Sequence, residues 1–396
     1  MENVYLVDGV RSPMGKFGGV LSPLRATEIA SQVAMGLFTR LDIDVSTVHQ
    51  IIGGMVLQDM SESNPARIVG QRVGVSDAVP AFTINMQCVS GMAALIMATR
   101  QIALGSVDSV LVVGMESMSN PPYMVHGARW GMRMGNAEFI DTLEECKLAG
   151  SAMWSDPWTM IDVAEHHSEV DGVSREEMDE YALISHRRAI AASDAGRFKQ
   201  ELVPITVSEG KGSPVVMEDE NPRRSISIEQ LERLRPIREG GTVTAGNASA
   251  NTDGAAVALI CNDRFLAEAR LDPLARINVP STAMVGCDPH LMGYSCVLAA
   301  QAALDGAQTT LDKVDLIECN EGFAVQMVAC QRMAEWPKDR LNVDGGGISL
   351  GHPVGMSGLR IVIHLAKSLQ QRDERLGLAT VPAGSGLGAA LLLDRV

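Results

Sequence analysis

The sequence lacks an excess of positive charge. Its 396 residues hold 33 lysine and arginine side chains against 48 aspartate and glutamate side chains, a formal net charge of -15 at pH 7. Proteins that hold nucleic acid through nonspecific phosphate contacts carry the opposite balance. The composition therefore argues against a nucleic-acid partner, although a local basic pocket stays compatible with it.

Long apolar runs are also missing. No stretch approaches the roughly 20 residues that a membrane-spanning helix needs, and the first residues show no basic region followed by an apolar one, as a secretory signal would. We therefore predict a cytoplasmic protein with no membrane partner. With 46% hydrophobic residues, the chain has the length and composition for two or three domains with sizeable cores.

Common cofactor motifs are absent as well. The chain has neither the GxxxxGK[ST] phosphate loop nor a GxGxxG turn between an early strand and a helix, so nucleotide hydrolysis and Rossmann-type redox chemistry lose support. Its seven cysteines form no CxxC pair and no metal-ligand spacing. That pattern indicates reduced thiols and predicts no metal site.

What the sequence does contain is an alternation of apolar strand-like and helical segments. Residues 4–7 and 109–113 read as buried strands, and residues 95–104 read as a helix. This alternation predicts an α/β layered fold with a largely hidden sheet. A weak internal repeat relates C-V-S-G-M-A-A-L from Cys88 to G-M-S-G-L-R-I-V from Gly355, which modestly favours two similar halves.

Residues 119–240 differ in character from the rest. They hold three of the four tryptophans, many methionines and charged helical stretches. Ser174, followed by Glu177 three residues later, is typical of a capping box at a helix start. We interpret this region as an inserted lid or substrate domain; a structural subdomain without ligand contact is the alternative.

Cys88 lies in N-M-Q-C-V-S-G, directly before an apolar periodic helix. A helix N-terminus offers unpaired N–H groups and a partial positive charge, which favour the thiolate and lower the pKa of a cysteine. This position predicts a reactive nucleophile. A buried cysteine in a tight turn is an equally good interpretation of the local sequence.

His352 and Asn320 lie in two further loops. His352 sits in the glycine-rich run D-G-G-G-I-S-L-G-H-P-V-G-M-S-G at 344–358, where backbone can approach a ligand closely. A histidine there could activate a thiol or donate to a carbonyl oxygen, or it could simply cap the next helix. Asn320 follows an apolar strand, where it could orient a water at the ligand-binding edge of a sheet or cap a helix.

Together with further motifs, these loops resemble the thiolase family. The further motifs are V-R-S-P-M-G-K-F-G-G from Val10, E-S-M-S-N from Glu116, A-R-W-G-M-R-M-G from Ala128, G-T-V-T-A-G-N-A-S from Gly241, D-P-H-L-M-G-Y from Asp288 and N-E-G-F from Asn320. The resemblance covers nearly the whole chain in the expected order, which makes it specific.

The resemblance implies an α/β fold: a thiolase-like duplicated mixed sheet sandwiched by helices, with an inserted loop domain. Residues 1–118 plus 241–267 would form the N-terminal half, and residues 268–396 the C-terminal half. Residues 119–240 would form the loop domain, acting as a lid and CoA-binding region.

The chemistry implied by the resemblance is acyl transfer by an acyl-CoA C-acyltransferase. Cys88 would take the acyl group of an acyl-CoA or 3-ketoacyl-CoA as a thioester, and His352 would draw off its proton. His352 and a water held by Asn320 would form one oxyanion hole, and the backbone N–H groups of Cys88 and Gly384 the other. Reversible Claisen cleavage or formation of a C–C bond is the expected reaction. Coenzyme A is then a substrate, and no cofactor is expected.

The substrate positions and the assembly follow from the same resemblance. Ser249 matches a residue beside the CoA pantetheine, Met160 and Phe323 match pocket positions, and Arg223 is a plausible CoA phosphate contact. Met292 and Ala248 complete the expected substrate contacts. A homodimer or homotetramer with a role in fatty acid and lipid metabolism is implied.

The sequence departs from the family pattern in three places. Ser295-Cys296 follows Met-Gly-Tyr where Gly-Pro is usual, and Cys319 with Gly322 flanks Asn320. The third departure is the most serious. T-V-P-A-G-S-G-L-G at 380–388 has Pro382 where the family carries a second cysteine, the acid/base for the α-proton of the acyl-CoA. Proline has no ionisable group. Cys319 or Cys296 could lend a thiol to this role, and an inert buried thiol is the alternative interpretation of each.

This departure leaves two alternatives to ordinary thiolase chemistry. Cys88, Asn320 and His352 also resemble the trio of decarboxylating ketoacyl synthases, in which loss of CO2 generates the carbanion without a base. A noncatalytic acyl-CoA-binding homologue that retains the fold is the other.

Overall fold

Strands and helices alternate along the computed structural model, which describes residues 1–148, 155, 157–208 and 213–396. The strands are β1 Val4–Arg11, β2 Gly15–Lys16, β3 Gln50–Gly54, β4 Ala81–Ile84, β5 Ser109–Ser117, β6 Tyr123–Met124, β7 Ile140–Asp141, β8 Ile205–Thr206, β9 Val215–Val216, β10 Thr252–Cys261, β11 Ala275–Ile277, β12 Ala283–Gly286, β13 Leu316–Cys319, β14 Leu376–Ala383 and β15 Leu387–Arg395. The helices are α1 Ala26–Leu41, α2 Pro65–Val73, α3 Ser90–Ala103, α4 Thr142–Cys146, α5 Met160–Asp171, α6 Arg175–Asp194, α7 Ile228–Glu232, α8 Asp263–Ala269, α9 Ser295–Gly306, α10 Ala324–Ala334, α11 Gly347–Leu350 and α12 Val354–Arg372.

The main sheet repeats one strand pattern twice. Its order is β4-β3-β5-β10-β1-β11-β15-β14-β13, with β2 paired to β10 and β12 to β15. In the first half β3 and β5 are parallel, and β5, β10 and β1 follow antiparallel. In the second half β13 and β14 are parallel, and β14, β15 and β11 follow antiparallel. The two halves share order and direction and meet at the β1-β11 pair.

Both faces of the strands are covered by helices. In β5, Val110 and Val112 belong to the core that contains α3 and α12, whereas Leu111 and Val113 belong to the core that contains α1 and α2. In β15, Leu392 joins the core formed with α9 and α10. Because successive side chains of a strand point to opposite faces, a strand buried on both sides becomes apolar throughout, as the sequence predicts. The predicted duplicated mixed sheet between helices is confirmed.

The central helices α3 and α12 cross at the repeated Ser-Gly motif. A Cβ atom on Gly91 would lie 2.7 Å from the Gly355 carbonyl oxygen, and one on Gly358 would lie 2.7 Å from the Met92 nitrogen. Only glycine permits this close approach of the two backbones. The crossing matters for function because α3 begins two residues after Cys88 and α12 begins two residues after His352.

The middle region packs on the second half through α5 and α6. Their shared core includes Met178 and Leu183 from α6 and Val325 from α10. At the start of α6, Ser174 N donates to the Glu177 carboxylate at 3.0 Å and Glu177 N donates to the Ser174 hydroxyl at 3.3 Å, so the predicted capping box is confirmed. The boundaries of the inserted domain, 119 and 240, stay a prediction. Among the residues described, none of the helices combines the length and apolarity that crossing a bilayer requires.

Candidate active site

A cavity of about 670 Å³ lies where the two halves meet the middle region. Apart from the two cysteines suggested as substitute acid/base groups, every residue predicted to be catalytic or to bind substrate lines it. These residues are Cys88, His352, Asn320, Gly384, Ser249, Met160, Arg223, Phe323, Met292 and Ala248. Residues as distant in the sequence as Cys88 and Gly384 are therefore brought to one site, as the motifs predict.

The turn that presents Cys88 is strained and tightly held. Gln87, just before it, has φ 53°, a left-handed conformation that costs a non-glycine residue about 1 kcal/mol. Asn85 Oδ1 accepts from Gln87 N at 3.1 Å, while the Ser90 hydroxyl accepts from Met86 N at 2.9 Å and donates to Gln87 O at 2.6 Å. These bonds hold the cysteine at the entrance of α3, facing the cavity.

The predicted lowering of the Cys88 pKa is wrong for this structure. Burial raises the pKa of the Cys88 thiol to about 12. The backbone N–H groups of Gly384 and of Cys88 itself act in the other direction, and the nearby Glu116 charge adds to the rise. Two N–H dipoles do not offset the loss of water around a thiolate. Cys88 therefore rests as a thiol and needs a base to become a nucleophile.

His352 is held in the form that can serve as this base. The Ser357 hydroxyl donates to Pro353 O at 3.0 Å, so it accepts from His352 Nδ1–H at 2.7 Å. This assignment leaves Nε2 without a proton. Burial lowers the pKa of His352 to about 4, and the Arg360 charge contributes. At neutral pH the imidazole is uncharged, with a free lone pair on Nε2.

Asn320 faces that lone pair. Its Nδ2 lies 3.4 Å from His352 Nε2, and its backbone N donates to Thr380 O at 3.0 Å. Within the described part of the chain, its Oδ1 is buried without a hydrogen-bond partner. Leaving such an oxygen unpaired costs about 1–3 kcal/mol, so a water or ligand polar group is expected beside it. The alternative of helix capping does not fit, since Phe323 is the N-cap of α10.

Pro382 occupies a position where a missing N–H does no harm to the sheet. It pairs with Gly388 of β15, beyond the last β13-β14 pair between Cys319 and Thr380. Proline is tolerated where no neighbouring strand needs its N–H. Its side chain lines the cavity, and the turn after it directs the Gly384 N–H at the Cys88 sulfur. The strand is thus intact, while this wall of the cavity offers no ionisable group.

The interpretation of Cys319 and Cys296 as substitute acid/base groups is corrected by their placement. Neither lines the cavity. Both are buried in the core formed by α9 and α10, where each sulfur lies 3.8 Å from the amide nitrogen of Gln326. Cys319 precedes Asn320 at the end of a strand, and adjacent residues of a strand face opposite sides. The alternative interpretation, an inert buried thiol, fits both.

One residue of the cavity carries no signal in the sequence, and a second one behind it has no role predicted from the sequence. Cys146, at the end of α4, lines the same cavity as Cys88, yet no glycine-rich turn or periodic pattern marks it. Glu116, fully buried, accepts from Val56 N, Leu57 N and Gly355 N at 2.9–3.0 Å. Burial raises the pKa of Glu116 to about 7. It ties the loop after β3 to the start of α12.

Cationic and apolar residues shape the rest of the cavity. Arg223, Arg238 and Lys147 contribute positive charge to its lining. Ala248 forms a bridge with Phe323, and Ser249 N donates to Gly322 O at 3.0 Å, so the glycine-rich segment is fixed against N-E-G-F. In the described ranges, no cluster of histidine, cysteine, aspartate or glutamate could hold a metal ion.

Comparison with known proteins decides the family. The sequence model of the thiolase N-terminal domain matches residues 4–264, and that of the thiolase C-terminal domain matches residues 271–395. The chain belongs to the thiolase family. Acetyl-CoA acetyltransferase of Pseudomonas aeruginosa is 40% identical over 399 residues, and the probable acetyl-CoA acetyltransferase of Escherichia coli is 39% identical over 398 residues; each alignment spans 100% of both chains.

Solved structures of the thiolase family superpose closely on this chain. Bacillus anthracis acetyl-CoA acetyltransferase has a TM-score of 0.96 at 37% identity, covering 100% of this chain and 99% of that chain. Human mitochondrial 3-ketoacyl-CoA thiolase has a TM-score of 0.94 at 36% identity, with the same coverage. Membership confirms the predicted fold and a thiolase-type acyltransferase, and thus an enzyme, as the function class.

Proposed function

We propose that this protein transfers acyl groups between CoA thioesters through a Cys88 acyl-enzyme, with reversible Claisen cleavage or formation of a C–C bond. The relatives named as acetyl-CoA acetyltransferase and 3-ketoacyl-CoA thiolase support acyl-CoA and 3-ketoacyl-CoA as its substrates. The observation that carries the proposal is one cavity lined by Cys88, His352, Asn320 and the Gly384 turn.

In the first step, His352 Nε2 accepts the Cys88 thiol proton as the sulfur attacks the substrate carbonyl. Both groups rest neutral, so the proton transfer creates the thiolate at the moment of attack and not before. The N–H groups of Cys88 and Gly384, which already point at the sulfur, are placed to stabilise the developing carbonyl oxyanion. Asn320 would hold a water through its unpaired Oδ1.

The CoA moiety would lie along the cationic side of the cavity. Arg223, Arg238 and Lys147 supply charge for its phosphates, and Ser249 lies on the segment beside which the pantetheine would run. Met160, Met292, Phe323 and Ala248 supply apolar walls for the acyl group. The solved human 3-ketoacyl-CoA thiolase in complex with CoA supports binding in this family fold. Coenzyme A acts here as substrate and product, and no cofactor takes part.

The remaining proposals concern the setting of the enzyme. A homodimer or homotetramer, a cytoplasmic location and a role in fatty acid and lipid metabolism fit the thiolase resemblance. The net charge of -15 fits the absence of a nucleic-acid partner.

A second candidate function is favoured by Pro382. A side chain with no ionisable group at this wall suits decarboxylating condensation, in which Cys88, Asn320 and His352 suffice because loss of CO2 generates the carbanion. Malonyl-CoA is the substrate that separates it from thiolase chemistry.

The test is acylation of Cys88. Intact-protein mass spectrometry after incubation with acetyl-CoA, acetoacetyl-CoA and longer acyl-CoAs should show an added acyl mass. The adduct should disappear in Cys88→Ala, because Cys88 is the nucleophile, and persist in the matched variant Cys261→Ala, whose cysteine is buried in the outer core away from the cavity. No adduct with any of the thioesters, or one that survives Cys88→Ala, contradicts the proposal. Release of CO2 from malonyl-CoA by acylated enzyme would favour the second candidate.

A further inference from the structure

Cleavage of a 3-ketoacyl-CoA requires a proton donor that has not yet been assigned. When the bond between C2 and C3 breaks, the electron pair stays on C2 and must receive a proton. Pro382, on the wall where the family carries a cysteine, cannot supply one. His352 holds the proton of Cys88 at this stage. The candidates that the chain itself supplies are the other ionisable groups of the cavity.

The described lining offers few such groups. Besides Cys88 and His352, the ionisable side chains are Glu144, Cys146, Lys147, Arg223 and Arg238. Arginine stays protonated at any working pH and is no proton donor. Glu144 and Lys147 form an ion pair of 2.6 Å near the protein surface, so each has its partner there. Cys146 is the group that remains.

Cys146 lines the same cavity as the reacting sulfur. It is half-buried at the end of α4 and packs on the cluster of Leu57, Met118 and Leu143, which Val354 at the start of α12 also contacts. A negative charge on Cys88, present once its proton has left, raises the pKa of Cys146, and the Glu116 charge acts on both thiols. The Cys146 sulfur donates to Leu143 O, three residues earlier in the chain, at 3.1 Å.

We propose that Cys146 is the general acid/base that exchanges a proton with the α-carbon of the acyl-CoA. The inference rests on the proposed function and assigns the general acid/base that the proposed reaction requires. A second polar atom independently indicates that a ligand is held here: the Oδ1 of Asn320, a residue only 1% exposed that lines the same cavity, has no hydrogen-bond partner in the described structure.

The proton balance closes with this assignment. The bond from Cys88 Sγ to C3 forms, the C2–C3 bond breaks, and the Cys146 S–H proton moves to C2, which releases acetyl-CoA. The Cys146 thiolate then takes the thiol proton of the incoming CoA, whose sulfur attacks the acyl-Cys88 thioester. The departing Cys88 sulfur recovers its proton from His352. In the direction of synthesis, the Cys146 thiolate removes a proton from C2.

The protonation state of Cys146 suits the cleavage direction. Burial is the main cause that raises the pKa of Cys146 to about 12, with the Glu116 and Cys88 charges adding to it. The group is therefore a thiol at neutral pH, which is the form that donates. A thiolate generated there is strongly basic and takes up a proton readily from CoA.

Exchange of the α-hydrogens of acetyl-CoA in D2O tests the assignment. Wild-type protein should incorporate deuterium at C2, measured by mass spectrometry of acetyl-CoA. Cys146→Ser keeps the size of the side chain and a donor to Leu143 O, yet its hydroxyl is far too weak an acid. It should lose exchange by about 10²–10⁴-fold, while acyl-Cys88 still accumulates at long incubation times. Cys261→Ala should exchange like wild type.

The outcomes separate the two proposals. Wild-type protein that acylates Cys88 without exchange, or Cys146→Ser that exchanges at the wild-type rate, overturns the role of Cys146 and leaves acyl transfer standing. Absence of Cys88 acylation in wild type overturns the proposed function itself, and the role of Cys146 falls with it.

A rescue variant tests whether the missing thiol is the cause. Pro382→Cys places a thiol on the cavity wall at the end of β14, and proline has no N–H whose ladder bond could be lost. Added to Cys146→Ser, it should restore exchange to within about tenfold of wild type, because general acid/base catalysis by a thiol is then supplied again. If the double variant acylates Cys88 and still does not exchange, the loss in Cys146→Ser has another origin and the assignment is wrong.

Discussion

Single residues decide what this site can do with a proton. His352 carries no charge because burial lowers its pKa to about 4, and its tautomer depends on the 2.7 Å contact between Nδ1 and the Ser357 hydroxyl. The hydroxyl itself is directed by Pro353 O. The basicity of Nε2 is therefore set by a serine on the first turn of α12, which touches no substrate.

Replacing Ser357 by alanine should slow acylation of Cys88. A lost hydrogen bond of about 1 kcal/mol, together with a ring free to adopt the other tautomer, predicts a roughly 5- to 30-fold lower rate. The rate is measured by mass spectrometry of the acyl-enzyme at several times. Ser357→Thr, which keeps the hydroxyl, is the matched control. An unchanged rate in Ser357→Ala at unchanged thermal stability would show that Ser357 does not position His352.

The sequence and the structure agree on residues whose placement is local. Cys88, His352, Asn320 and the Gly384 turn each lie in a short motif at a helix start or strand end, so their meeting at one cavity could be predicted. The pKa of Cys88 could not be predicted from the sequence, because it depends on burial by distant segments. The position of Cys146 could not be predicted from the sequence, because its contact with the site depends on how the middle region packs against the two halves.

Strand alternation by itself argues against the acid/base role suggested for Cys319. Cys319 and Asn320 are neighbours at the end of β13, so a strand geometry that turns Asn320 to the cavity turns Cys319 to the opposite core. The role suggested for Cys319 contradicts the role suggested for Asn320 on this ground alone. The role suggested for Cys296 is excluded as well, because this residue lies on α9 in the same core.

At the scale of elements, the crossing of α3 and α12 controls the distance between the Cys88 and His352 loops. A methyl group on Gly91 would meet the Gly355 carbonyl at 2.7 Å and the Leu359 nitrogen at 3.0 Å, both backbone atoms that cannot turn aside. Any added atom must therefore separate the helices. Because α3 begins two residues after Cys88 and α12 begins two residues after His352, separating the helices also moves these two residues apart.

Gly91→Ala should lose stability and activity together. Overpacking of this kind costs about 1–3 kcal/mol, measured as the free energy of unfolding in urea, and the acylation rate of Cys88 should fall in the same variant. Gly286→Ala is the control, because a Cβ atom there meets nothing within 4 Å. A Gly91→Ala protein as stable and as fast as Gly286→Ala would mean that the helices yield without moving their loops.

For the whole molecule, a buried charge network joins the two halves and the middle region. Arg11 of β1 donates to Glu201 of the middle region at 2.6 Å, and Glu201 contacts His364 of α12 at 3.0 Å. His364 also lies 3.4 Å from Asp344. Desolvation opposes the charge on His364, yet the charges of Glu201, Asp344 and Glu318 prevail and raise its pKa to about 10. The pKa of Glu201 and that of Asp344 are lowered to about 2, because the positive partners outweigh burial.

These shifts predict how stability varies with pH. The raised pKa of His364 contributes stability that is complete below about pH 6.5 and is lost as the pH rises towards 10. The lowered pKa values of Glu201 and Asp344 contribute stability that is complete above about pH 4.5 and is lost as the pH falls towards 2. The contribution of the network should therefore be largest between these limits.

His364→Gln should remove the alkaline part of this dependence. At pH 6 the variant should be less stable than wild type by about 3 kcal/mol, because it leaves two buried carboxylates with one fewer positive partner. The gap should narrow between pH 7 and 10 in urea unfolding. His126→Gln, at an exposed position, serves as the control. A gap of constant size across this range would show that His364 is uncharged in the folded protein.

The repeated helix start divides the reaction centre between the two halves of the protein. The same Ser-Gly crossing presents a sulfur from one half and a nitrogen from the other, so one half supplies the proton donor and the other half the proton acceptor. Neither half expressed alone should contain a complete reaction centre, whatever its stability. Chemistry in this protein is therefore a property of the two halves together.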